Sequence, residues 1–146
     1  MITPLQLIEV LLVEDDSGDE LMTREAFEDN KIANRLHVAR DGEEALDFLY
    51  RRGAHADAPR VDLVLLDLNL PKYDGTQVLG QIRSDPDLTH MPVVILTTSS
   101  AEEDVLRSYK LHANAFVTKP VDVNQFIAAV RQIDDFFLSV ARLPRT

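Results

Sequence analysis

Leu11-Leu12-Val13 runs into Glu14-Asp15-Asp16, and Leu63-Val64-Leu65-Leu66 runs into Asp67. Val93-Val94-Ile95-Leu96 ends at Thr97, and the shorter run Ala115-Phe116-Val117 reaches Lys119-Pro120. Four apolar segments thus stop at acids, a hydroxyl and a lysine. Such a set suits phosphoryl transfer. Mg²⁺ is held by one or two carboxylates completed by waters and phosphate oxygens. An aspartate is already ionised at pH 7 and needs no base before it attacks. A cation must neutralise the acids before phosphate can approach, and a lysine adds a point charge beside the transferring group. Catalysis of this kind is mainly positioning and electrostatics.

The elements that must position these groups can be read from the patterning. Strands are expected near 7–13, 35–39, 62–67, 92–97 and 115–118, and helices near 17–29, 41–51, 74–84, 102–111 and 122–140. The central runs are continuously apolar, as parallel strands covered on both faces are. Asp41 with Glu44 three residues on, and Asp122 with Gln125, have capping-box spacing. Asp74-Gly75 marks a turn, and Pro86 and Pro92 frame the loop after the third helix. Five β-α units make a doubly wound α/β domain. The key positions are 67 − 15 = 52, 97 − 67 = 30 and 119 − 97 = 22 residues apart. Each interval is one or two β-α units, so all the groups fall beyond the carboxyl ends of strands on one edge of the sheet.

At 146 residues the chain fits one domain with a real core. Its net charge of −10 argues against non-specific binding to nucleic acid or an anionic membrane. With no cysteine, thiol and disulfide chemistry are excluded. No segment reads as a signal peptide or membrane span, so a cytoplasmic location is expected.

Asp15, Asp67, Thr97 and Lys119, with Asp67-Leu68-Asn69-Leu70-Pro71 and Asp74-Gly75, resemble the receiver domain of two-component response regulators. The resemblance covers about residues 7–135, and residues 1–146 are expected to be a single receiver domain with an extension over about 136–146. It implies a flavodoxin-like, five-stranded parallel sheet of order 2-1-3-4-5, and the last helix, over about 122–140, reads as an extended C-terminal helix that is long for this architecture. It implies that Asp67 is the phosphoacceptor, supplied by a sensor histidine kinase. Glu14, Asp15, Asp67 and the backbone carbonyl of Asn69 are implied to bind Mg²⁺, with Mn²⁺ as a substitute. Lys119 is implied to pair first with the acceptor and then with the phosphoryl oxygens, and the Lys119-Pro120 bond is implied to be cis. Thr97 is implied to bond the phosphoryl group, and Phe116 to be the switch aromatic.

Some residues carry two readings. Asp16 is a loop or cap residue, or an aid to the cation through a bound water. Thr98 competes with Thr97, and the 30-residue interval favours Thr97. Phe116 is a switch or plain edge-strand packing. His37, His55, His90 and His112 lack metal-ligand spacing and read as surface residues. Arg51–Arg60 reads as a long polar surface loop. A haloacid-dehalogenase-type phosphatase needs a second aspartate two residues after its nucleophile, and that position is Asn69. The acyl phosphate should therefore persist as a signal, not turn over as an enzyme intermediate. A phosphorylation-independent interaction module is the other alternative.

The 51–60 loop and the apolar ending Asp135-Phe136-Phe137-Leu138 resemble the small single-domain regulators paired with phytochrome-type histidine kinases. The last helix is apolar at Phe126, Val130, Ile133, Phe137 and Val140 and should overhang a five- or six-residue strand. That overhang points to a homodimer contact, with folding back over its own domain as the alternative.

Overall fold

The structure, a computed structural model, describes residues 8–29, 34–68, 75–97, 113, 115–118 and 124. Five strands, β1 (Ile8–Val13), β2 (Asn34–Ala39), β3 (Leu63–Asp67), β4 (Val93–Thr97) and β5 (Ala115–Thr118), form one parallel sheet of order β2-β1-β3-β4-β5. The expected strand order is therefore observed. The central strands β1, β3 and β4 are the continuously apolar ones. Val10 to Val13, Leu63 to Leu66 and Val93 to Leu96 are all at 0% exposure, so both faces of the sheet are covered.

Helices α1 (Ser17–Asp29), α2 (Gly42–Tyr50) and α3 (Gly75–Ser84) fall where the patterning puts them. Leu11, Val13, Val64, Leu66, Val93 and Ile95 form a cluster with Ala45, Leu46 and Phe48 of α2 and Val78, Leu79 and Ile82 of α3. Each large apolar side chain so buried contributes about 1.5–3 kcal/mol. The right-handed crossover rule sends α1 to the other face. The helices expected over 102–111 and 122–140 lie outside the described residues.

Local chemistry sets the helix ends. Asp41 Oδ1 accepts the Glu44 N–H at 2.8 Å, while Glu44 Oε1 accepts from the Arg40 N–H at 2.7 Å. The capping box at α2 is thus present, displaced by one residue on its return arm. Such a cap contributes about 1 kcal/mol. At the far end Arg51 takes the left-handed conformation (φ 54°) and the Arg52 N–H returns to Asp47 O at 3.0 Å. Helix α3 stops before Asp85-Pro86, where a proline disfavours helical backbone. The half-buried Arg83 then donates to the carbonyls of Thr89 and Met91 at 3.1 and 2.7 Å, which turns the chain into β4.

The 51–60 segment is polar and lies at the surface, but it is anchored. It contains a 3₁₀ turn, Gly53–His55. The His55 ring lies 5.1 Å from Phe48, which lies 5.2 Å from His37. His55 Nε2 meets Glu44 at 3.1 Å, and His37 Nε2 meets Glu9 at 2.6 Å. Both histidines are half-buried structural groups. His90 is exposed, and His112 lies outside the described residues.

Candidate functional site

Strand register builds the site. β1 pairs with β3 through Val13 and Leu66, so the next residues, Glu14 and Asp67, come level at the carboxyl edge. β3 pairs with β4 through Asp67 and Leu96, one residue before Thr97. β4 pairs with β5 through Thr97 and Thr118, one residue before Lys119 in the sequence. The strand order reverses between β1 and β3, which is where ligands bind in open α/β sheets.

Carboxylate oxygens of Glu14, Asp15 and Asp67 all lie within 4.8 Å of one another. Glu14 is 1% and Asp67 4% exposed, while Asp15 is open to solvent. Three acids, two of them buried, make a concentration of negative charge that a cation relieves. Hard oxygen donors suit Mg²⁺, whose metal–oxygen distances of about 2.0–2.1 Å bring ligand oxygens to within about 3–4 Å of each other. The donor set therefore fits a small divalent ion after modest side-chain movement. Among the described residues this is the one such cluster of acids, histidines or cysteines.

Asp16 has a different task. Its Oδ1 accepts the Gly18 N–H at 2.9 Å and its carbonyl accepts the Glu20 N–H at 3.0 Å, which makes it the cap of α1. Its own N–H donates to Glu14 Oε2 at 3.4 Å, which ties the cap to the acid cluster. Glu20 then binds α1 to the end of β2. Burial works to raise its carboxyl, but hydrogen bonds from Arg24, at 3.0 Å, and Arg40 outweigh it and hold the group below the usual carboxylate range.

Phe116 lies half-buried on β5, level with Ile95, and packs against the main core cluster. The backbone of Thr97 ends β4. Asn69, Thr98, Lys119 and Pro120 lie outside the described residues, as does the whole 69–74 segment that follows the acceptor strand.

Residues 10–131 match the family described as the response regulator receiver domain. The chain belongs to this family. Its members take a phosphoryl group from histidine kinases. This receiver domain is 43% identical to the response regulator Rcp1 of Synechocystis sp. over 135 residues, 92% of each chain. It is also similar to the solved bacteriophytochrome response regulator AtBRR, at 47% identity and a TM-score of 0.83, covering 87% of this chain and 92% of that one. The Mn²⁺-bound form of Rcp1 superposes with a TM-score of 0.72 at 42% identity, covering 94% and 99% of the two chains. Among the described residues no helix is long and apolar enough to cross a membrane.

Proposed function

We propose that residues 1–146 act as one receiver domain that accepts a phosphoryl group onto Asp67 and thereby switches a protein-interaction surface. The observation that carries this reading is the convergence of Glu14, Asp15 and Asp67 at the switch point of the sheet, with Asp67 buried among them. An oxygen of the Asp67 carboxylate forms the new O–P bond while the N–P bond to the kinase's phosphohistidine breaks. The electron pair of that bond returns to the imidazole nitrogen. Glu14, Asp15, Asp67 and the backbone carbonyl of Asn69 would hold Mg²⁺, or Mn²⁺ in its place, which supplies positive charge against the phosphoryl oxygens. Lys119 pairs with the acceptor and then with the transferred group. Thr97 bonds a phosphoryl oxygen and is drawn toward it, and Phe116 turns into the space released. Any population shift comes from this differential contact.

Asn69 stands where a turnover phosphatase carries its second acid, so the acyl phosphate decays slowly. The likeness to AtBRR supports a phytochrome-type kinase as the donor. The apolar ending around Phe136, Phe137 and Leu138 supports a homodimer through the C-terminal segment. The negative net charge supports a protein that binds neither nucleic acid nor an anionic membrane surface, and the place of action proposed is the cytoplasm.

The test is labelling with a small phosphodonor such as acetyl phosphate, with and without EDTA. Wild type should incorporate one hydroxylamine-labile phosphoryl group only when Mg²⁺ or Mn²⁺ is present. Asp67→Asn should fold and incorporate none. Wild-type labelling of that variant, or of wild type in excess chelator, overturns the assignment.

A further inference from the structure

Gly75, the first residue of α3, is pressed against the strand that carries the acceptor. A methyl group built on its α-carbon would lie 2.5 Å from the carbonyl oxygen of Asp67 and 2.6 Å from the α-carbon of Leu68. Both are backbone atoms, so no side chain can swing aside. The Gly75 N–H meanwhile donates to the Leu68 carbonyl at 3.0 Å. The N-terminus of α3 therefore seats directly on the peptide that joins Asp67 to Leu68, and it closes the two ends of the 69–74 segment. The backbone here is not left-handed, so what this position demands is space and not conformational freedom. Intrinsic helix propensity favours alanine over glycine. At the first residue of the helix that preference is weak, so the glycine is explained by the contact across the fold.

We propose that Gly75 is a positioning residue for the phosphoacceptor. By lacking a side chain it lets α3 fix the Asp67–Leu68 peptide, and with it the placement of the Asp67 carboxylate against Glu14 and Asp15. Ordinary van der Waals contact begins at 3.4 Å, so alanine would force a separation of 3.4 − 2.5, or about 0.9 Å. Glu14 and Asp15 leave from β1 and do not share that displacement. Loss of a group that orients metal ligands weakens metal affinity by about 10- to 100-fold. Misplacement by about 1 Å costs a reaction on the order of 100-fold. The proposal rests on Asp67 as acceptor, but its test reads metal affinity and needs no phosphodonor.

The experiment is a Mn²⁺ titration of the full chain, followed by electron paramagnetic resonance of the free ion. For Gly75→Ala the dissociation constant should rise by about 10- to 100-fold. A merely structural role lowers the number of sites in step with the folded fraction and leaves their affinity at the wild-type value. That second result overturns the proposal. Leu79→Ala, a core change in the same helix, should give wild-type affinity in its folded fraction.

A measurement on the wild-type protein decides the matter even where Gly75→Ala does not fold. Opening the Gly75–Leu68 contact should cost the bound ion, so Mg²⁺ at ten times its dissociation constant should slow exchange of the Gly75 amide about tenfold. The Asp85 amide, bonded to Gln81 O at 3.2 Å at the far end of α3, should keep its rate. A Gly75 rate indifferent to Mg²⁺, or an equal slowing at Asp85, refutes positioning by this contact. Loss of acetyl phosphate labelling in wild type with the Mn²⁺ results intact would remove the acceptor reading alone.

Discussion

Asp67→Asn should make the metal-free protein more stable while abolishing its response to Mg²⁺. Carboxylate oxygens of Glu14, Asp15 and Asp67 lie within 4.8 Å of one another, and two of the three residues are buried. At that separation a like-charge pair costs about 0.9 kcal/mol at the dielectric of water and about 3.5 kcal/mol at an effective dielectric of 20. The substitution removes two such pairs. Lys119, expected beside the acceptor, offsets roughly one of them, because its attraction to Asp67 is lost as well. The net gain is about 1–3 kcal/mol, and for a chain of this size each kcal/mol moves Tm by roughly 4 °C.

Thermal unfolding followed by circular dichroism, in buffer with EDTA, measures this directly. Wild type should recover the deficit when Mg²⁺ is added, because an ion at 100 times its dissociation constant stabilises by about 2.7 kcal/mol. Asp67→Asn should respond far less. Because two of the acids are buried, moderate salt should reduce the difference only in part. Asp67→Asn equal to or below wild type in EDTA would mean that the three acids do not repel, and the case for a cation there would fall.

Three further outcomes are expected. Tyr50 donates its hydroxyl to Asp85 across 35 residues of sequence, and Gln81 donates to the Tyr50 oxygen at 3.0 Å. The Tyr50 hydrogen bond, then the Asp87 N–H, holds the Asp85 carboxyl below its ordinary value of 3.8, while burial first and Asp85 second push the Tyr50 phenol above 10.0. A lowered acid adds stability above its unfolded value that is lost as pH falls through the folded one. A raised phenol adds stability below its unfolded value that is lost as pH rises through the folded one. Tyr50→Phe should therefore be less stable by a steady amount between about pH 5 and 9 and approach wild type towards both extremes; a stability gap that widens as pH falls below about 4 or rises above about 10 contradicts this. Thr97→Ala should still take phosphate from acetyl phosphate but lose the phosphorylation-dependent change in kinase or partner binding, and a wild-type response would place the coupling elsewhere. Truncation after Asp135 should convert a dimer into a folded monomer by sedimentation, whereas a full-length chain already monomeric at high micromolar concentration refutes the dimer.

What the sequence reveals and what it conceals divide along a physical line. The strands are legible because each central strand is buried on both faces and so reads as an unbroken apolar run. Helix ends are legible where a cap or a breaker acts within four residues, as at Asp41 and at Pro86. The acid cluster is legible because β-α units have a narrow range of lengths, so intervals alone place Glu14, Asp15 and Asp67 on one edge. Contacts between elements leave no such trace. Phe48 on its helix makes tilted ring contacts with His37 on a strand and His55 on a loop, so two histidines that read singly as surface groups are half-buried, and His55 holds the 51–60 segment to α2. The chain after α2 is left-handed twice, at Gly53 (φ 59°), where a glycine signals it, and at Arg51 (φ 54°), where the residue type does not.

Gly75 is the sharpest case. Beside Asp74 it reads as a turn glycine, a role that would require only backbone freedom. The structure gives it a different reason, the approach of a helix start to the backbone of the acceptor strand at a distance that excludes any β-carbon. A turn glycine tolerates replacement by asparagine, which also enters the left-handed region. A close-approach glycine does not, because asparagine carries the same β-carbon as alanine. Gly75→Asn should therefore behave like Gly75→Ala in the Mn²⁺ titration, whereas a requirement for turn conformation predicts that asparagine restores wild-type affinity and alanine does not.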